Sequence, residues 1–265
     1  MALLLVILII QSQNSEYTRP MSTKLFEINP DLDRAALAEA FARDRRVQIR
    51  DVLTRETAEE IRMILGNHTQ WGLASQAGEK GEPQQVLAKE LSEPAGKQRA
   101  QENVNKAMQE TAQGGYGFHF AQYSLVQGYM EKWNPDGPHD LLLEYLNTEE
   151  FLQLARDVCG MPELVKADGQ ATLFAQQHYL GVHIDSHVAE GWRVAYVMNF
   201  TLDDWKPDWG GYLNFLDEEG DIIHGYRPRF NALNMFAVPA KHNVSYVPPF
   251  APVGRLAITG WLRDR

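Results

Sequence analysis

Val194–Phe200 (VAYVMNF) and Tyr212–Leu216 (YLNFL) are two short apolar runs joined by TLDDWKPDWGG, and the reading of this stretch decides the fold. Each run is too short for a buried helix and has the length of a strand. The connection is dense in Asp, Pro and Gly, which end strands and make turns. Runs of the same kind recur after Gly160, at Thr172–Gln177, Ala232–Val238, Val244–Val247 and Arg255–Leu262. Repeated short strands with turn residues between them are the pattern of a sandwich or barrel.

Upstream the character is helical. Asp31–Arg43 carries apolar residues at helical spacing behind Asn29-Pro30, and Val47-Gln48-Ile49 reads as a short strand. Thr54 is placed to cap a helix striped by Ala58, Ile61, Ile64 and Leu65. Gln98–Ala112 and Pro138–Cys159 are further helical stretches, and Tyr116–Tyr129 suggests a strand. Gln76–Arg99 is polar and broken by Gly and Pro, so it reads as a mobile loop able to act as a lid. The whole is an α+β chain, with a helical N-terminal half packed on a C-terminal barrel as a single domain over residues 21–265.

The 265 residues are 44% hydrophobic and 23% charged, which is globular composition with enough chain for a real core. A net charge of −10 disfavours a polyanion-wrapping nucleic-acid binder but leaves room for an anionic ligand at a local positive site. The single cysteine, Cys159, excludes an intramolecular disulfide and fits a reducing, cytoplasmic setting. Ala2–Ile10 is an apolar run of nine residues, against the roughly 20 that span a membrane. No Lys or Arg precedes it as a signal peptide would require. Residues 1–20 therefore read as an upstream extension, disordered leader or mis-assigned start, with a disposable membrane-targeting tag as the lesser alternative; Met21 opens a second, more ordinary beginning, and no membrane partner is expected.

Among eight histidines, the informative one lies in HYLGVHIDSH. On a strand, His183 and Asp185 point to one face and can share an ion. Alone such a pair is common. His242, between the apolar runs NALNMFAVP and VSYV, is placed as a third ligand on a neighbouring strand. Two histidines and one carboxylate leave three octahedral positions open, which is the facial triad of non-haem Fe(II) oxygenases. His178 and His187 flank the triad and read as residues outside the ligand set. In the last strand, RLAITGWLR, Arg255, Ala257, Thr259 and Trp261 share a face. A guanidinium in an otherwise apolar strand calls for an anionic partner, as a keto-acid carboxylate would be.

HxD…H…R together with WKPDWGGYLNFL, PRFNALNMFAV and RLAITGWLR resembles the Fe(II)/2-oxoglutarate-dependent dioxygenases of the prolyl-hydroxylase type, over roughly residues 172–263. The wording is nearest to the ribosomal prolyl hydroxylase group. The resemblance implies a double-stranded β-helix, or jelly roll, with a barrel core at about 166–263 and N-terminal bracing helices. It implies Fe(II), 2-oxoglutarate, O₂ and ascorbate, with His183, Asp185 and His242 as iron ligands. Arg255 and Thr259 would hold 2-oxoglutarate. Asn199 stands where relatives usually have a Tyr that contacts the same carboxylate. Arg193 and Trp261 resemble residues lining the substrate pocket. The implied substrate is a prolyl residue of a protein or peptide, with a free amino acid or small metabolite as the alternative within the enzyme class. A catalytically inactive barrel that binds a partner is the alternative outside it.

Overall fold

A computed structural model of the chain describes residues 25–185, 187–202 and 204–265. The N-terminal run Ala2–Ile10, the beginning at Met21, the side chain of His187 and Asp203 lie outside the described residues. The elements run α1 (Arg34–Asp44), β1 (Arg46–Arg50), α2 (Arg55–Met63), β2 (Gly72–Ala77), β3 (Gln84–Val86), α3 (Ala88–Leu91) and α4 (Pro94–Ala112). They continue with β4 (Gly117–Ser124), α5 (Leu125–Met130), α6 (Pro138–Leu146), α7 (Glu149–Cys159), β5 (Lys166–Ala167), β6 (Gln170–Phe174) and β7 (Tyr179–Ile184). The last strands are β8 (Trp192–Asn199), β9 (Leu213–Leu216), β10 (Ile222–Tyr226), β11 (Ala232–Ala237), β12 (Lys241–Val244) and β13 (Arg255–Arg263).

The strands pair antiparallel in the order β1-β11-β8-β13-β6-β4-β7-β12-β9-β10, with β2 and β3 added beside β4 and β5 beside β13. On one edge β4 is shared. Its residues 121–124 pair with β6, while Phe118 and His119 pair with β7. The sheet turns its corner there and nearly closes into a jelly-roll-like barrel, as expected of a double-stranded β-helix. The two end strands, β1 and β10, do not pair with each other.

Strand β8 explains why its sequence is apolar without alternation. Val194, Tyr196 and Met198 pack with Phe41, Phe151 and Leu154 of the helical layer and with Ile49 of β1, whereas Ala195 and Val197 pack with Phe215, Phe236 and Ala257 inside the barrel. A strand buried on both faces needs apolar residues at every position. Each fully buried large apolar side chain contributes about 1.5–3 kcal/mol, so the helices stabilise this half of the barrel. Gly260 lets β13 pass the backbone of Asp168, where a Cβ would lie 2.2 Å from the carbonyl oxygen.

Several local expectations need correction. Helix α1 starts at Arg34, capped by the Asp33 side chain, which accepts from the Ala36 N–H. Thr54 precedes α2, but its hydroxyl bonds Thr57 Oγ1 at 2.9 Å and makes no backbone cap. The polar stretch 76–99 contains regular structure rather than a continuous loop. Val86 and Leu91 join Leu73, Ala100 and Val104 in a separate apolar cluster, and these few anchors hold β3, α3 and the start of α4 against β2. The expected strand Val244–Val247 is displaced towards the N-terminus, so His242 lies within β12. No helix of the described residues is long and apolar enough to cross a membrane.

Candidate metal centre

His183 sits near the end of β7 and His242 is its direct partner on β12. Asp185 follows just beyond β7, two residues on, and returns to the same face. His183 Nε2 lies 3.6 Å from Asp185 Oδ1, and His242 Nε2 lies 3.7 Å from Asp185 Oδ2. The two imidazoles are 4.2 Å apart, and one ligand atom from each residue falls within 4.8 Å of the others. Among the described residues this is the one cluster of its kind.

The orientation of both rings follows from their backbone. His183 Nδ1 faces the Gly181 carbonyl at 3.0 Å, and His242 Nδ1 faces that of Ala240 at 2.8 Å. A carbonyl only accepts, so each Nδ1 is the protonated nitrogen and each Nε2 keeps its lone pair for the cluster. Burial, assisted by the neighbouring His183, pushes His242 down to about 4, so its imidazole is neutral at neutral pH. Trp261 Nε1 donates to Asp185 Oδ2 at 3.1 Å, and its indole stacks on Trp192 at 3.8 Å. That bond occupies one face of the carboxylate and fixes its rotation. Phe236 stands 4.7 Å from the His242 ring and Tyr116 stands 6.0 Å from the His183 ring, walling the cluster with aromatic surface.

Arg255 opens β13 beside β6 and β8 and is 1% exposed. Its Nε donates to Asn199 Oδ1 at 3.2 Å, its guanidinium lies over the Phe174 ring, and its Nη1 is buried with no partner. No carboxylate of the described residues pairs with it. Burial drags its affinity for a proton down to about 10. A buried donor left unmatched costs free energy that a bound oxyanion would return. Gly211, at φ +68°, passes close by, with space for a Cβ only 3.5 Å from Arg255 Cδ.

The expected residues therefore separate into groups. His183, Asp185 and His242 come together. Arg255 and Asn199 are bonded to each other on the same interior face, with half-buried Thr259 further along that face. Trp261 reaches Asp185. Arg193 forms an ion pair with Asp264 and donates to the Trp192 carbonyl at 3.2 Å. Sequence reasoning missed Tyr116 and Phe236 as walls of the site, since an aromatic residue at a strand end carries no signal of what it faces.

Residues 169–263 match the family model of the 2OG-Fe(II) oxygenase superfamily. No curated protein sequence matches the chain. Among solved structures, a Pseudomonas putida prolyl-4-hydroxylase is 16% identical at a TM-score of 0.52, with 88% of this chain and 99% of that one covered. A 2OG-Fe(II) oxygenase family oxidoreductase from Burkholderia pseudomallei is 12% identical at 0.56, covering 91% and 94%. A Trichoplax adhaerens prolyl hydroxylase, solved with a peptide fragment of the hypoxia inducible factor oxygen degradation domain, is 12% identical at 0.54, covering 87% and 89%. Identities this low speak to the fold. Residues 169–263 thus resemble the 2OG-Fe(II) oxygenase superfamily, on a fold like that of the prolyl hydroxylases.

Proposed function

We propose that the protein is an Fe(II)- and 2-oxoglutarate-dependent dioxygenase that hydroxylates a prolyl residue of a protein or peptide. The observation that carries this reading is the shared interior of one barrel, where two imidazole Nε2 atoms and a carboxylate converge while the buried Arg255 keeps an unmatched donor. The donor set fits Fe(II), with two neutral nitrogens and one oxygen and room for further ligands. His183, Asp185 and His242 hold the metal. Trp261 restrains Asp185 so that one oxygen stays available to it. Arg255, steadied by Asn199, receives the far carboxylate of 2-oxoglutarate, with Thr259 further along the same face.

An iron held by His183, Asp185 and His242 would supply activation of dioxygen, coupled to conversion of 2-oxoglutarate to succinate and CO₂. What the chain supplies is position and dryness. Phe215, Phe236 and the Trp192–Trp261 stack keep water from the reacting centre. The low proton affinity of His242 keeps its lone pair available to the metal at neutral pH. Ascorbate would serve to restore the ferrous state.

Proline-containing peptides and free proline, each incubated with enzyme, Fe(II) and 2-oxoglutarate, test the substrate. The expected product is a peptide heavier by one oxygen atom, with the hydroxyl on proline. Hydroxylation of free proline alone would assign a small-molecule enzyme instead.

A further inference from the structure

The barrel has an unpaired seam between β1 and β10, and the seam is basic. Arg46, Gln48 and Arg50 share the face of β1 turned away from the helical layer, while Val47 and Ile49 fill that layer. Gln48 Nε2 bridges the seam, donating to Asn234 Oδ1 at 2.9 Å and to the Arg227 carbonyl at 3.3 Å. Arg227 and Arg229 lie in the connection from β10 to β11, and Arg227 Nη1 also reaches the Trp205 carbonyl at 3.3 Å. Three donors in this neighbourhood are buried and have no acceptor, namely Arg227 Nε, Arg229 Nε and Asn234 Nδ2. Asn234 itself is 1% exposed, so its amide cannot turn to bulk water.

The chain has carboxylates in excess, and Asp44 stands near Arg46 at one end of the seam, but no described carboxylate pairs at the Arg50 end. Arg34, Arg99, Arg156, Arg193 and Arg263 each meet an Asp or Glu, while no described carboxylate pairs with Arg50, Arg227 or Arg229. Instead the cations repel one another. Arg229 has its pKa lowered by burial and by the charges of Arg227 and Arg50. Unmatched buried donors and like charges each cost free energy, and one oxyanion relieves both. Asn234 shares a strand face with Phe236, so the seam borders the wall of the proposed metal site at its Arg46 end, with Arg50 at the opposite end of β1. Arg46 lies over the Phe215 ring, and Phe215 and Phe236 in turn neighbour the His242 ring.

We propose that this seam, formed by Arg50, Arg227, Arg229 and Asn234, is a second binding site that takes a small oxyanion, a phosphate or a carboxylate. The proposal does not depend on the oxygenase reading. Its test is thermal unfolding of the metal- and 2-oxoglutarate-loaded protein in inorganic phosphate against chloride at equal ionic strength, with acetate as a second arm. Phosphate at tenfold its Kd is expected to raise the wild-type Tm by about 3 °C. Arg229→Gln and Asn234→Leu are expected to lose that rise, and in chloride Arg229→Gln should be no less stable than wild type. Arg50→Gln, at an exposed position, provides a variant whose folding is not at issue and should weaken the response. A larger shift in phosphate than in acetate assigns a phosphoryl ligand, and comparable shifts assign a carboxylate. His183→Ala, which breaks the proposed metal site, should keep the response, so the two readings fail separately. No rise in the wild type, or an equal rise in all three seam variants, overturns the proposal.

Discussion

Strands β8 and β7 belong to one sheet and share one barrel, but they live in different surroundings. Six residues of β8, from Val194 to Asn199, are buried, because helices α1 and α7 cover its outer side. Strand β7 has no such cover, and its outward Val182 and Ile184 are 40% and 53% exposed. The braced half of the barrel holds the apolar mass. The uncovered half, β7 and β12, presents the imidazoles. The candidate metal ligands thus stand in the less covered half of the barrel, while the helix-covered half holds most of the apolar core.

The sharpest way to break this comparison is to substitute one residue in each half. Leu233→Ala, in fully buried β11, is expected to cost about 2–5 kcal/mol in urea unfolding. Ile184→Ala should stay within about 0.5 kcal/mol of wild type. Similar losses at both positions would show that β7 is braced by something other than β12 and β4.

Buried histidines refine it further. Burial holds His119 down to about 3 and His178 to about 4, and both nitrogens of His119 lack a partner. The unfolded chain binds protons on these rings below about pH 6.5, whereas the folded chain does not until about pH 4 or lower. Stability is therefore lost as pH falls through that window. For His119 the loss between pH 7 and pH 5 should be about 2 kcal/mol, and His119→Phe should remove its share. A flat stability from pH 7 to 5 would contradict the buried, neutral assignment.

Arg255→Met sharpens the contrast between fold and chemistry at a single buried position. Removing an unmatched buried charge should cost no more than about 1 kcal/mol, while 2-oxoglutarate turnover collapses. A large stability loss with turnover retained would make Arg255 structural. The last contrast is at Trp261. Phe there keeps the stack on Trp192 but removes the bond to Asp185, and metal affinity should fall about 10–100-fold with Tm little changed. Unchanged metal affinity would reduce the indole to packing.

The sequence made the triad legible because strand periodicity is strict. His183 and Asp185 had to share a face, and β12 needed only to pair with β7 for His242 to arrive opposite. Arg255 was legible because a charge in RLAITGWLR contradicts its surroundings. The barrel was legible from its turn residues, and β8 from an apolar run that declines to alternate. What escaped was long-range and polar. Nothing local to Arg193 announces Asp264, 71 positions away at the chain's end. Trp261 read as pocket lining because its indole N–H gives no hint of Asp185. Stretch 76–99 read as a loop because two apolar residues, Val86 and Leu91, are too few to show a period yet enough to anchor it. Strand β10, with outward Ile222 and Ile223 exposed, lacks the buried face that makes a strand visible.

The measurement that tests the central claim most directly is succinate formation from 2-oxoglutarate with Fe(II) and ascorbate, for wild type and His183→Ala side by side. Metal content of both proteins is read in the same samples. The account predicts metal uptake and succinate in the wild type, with both abolished in a variant that unfolds at nearly the wild-type temperature. A wild type that takes up neither Fe(II) nor 2-oxoglutarate, or a variant that turns over as fast as the wild type, would contradict it and leave the barrel as a binding module.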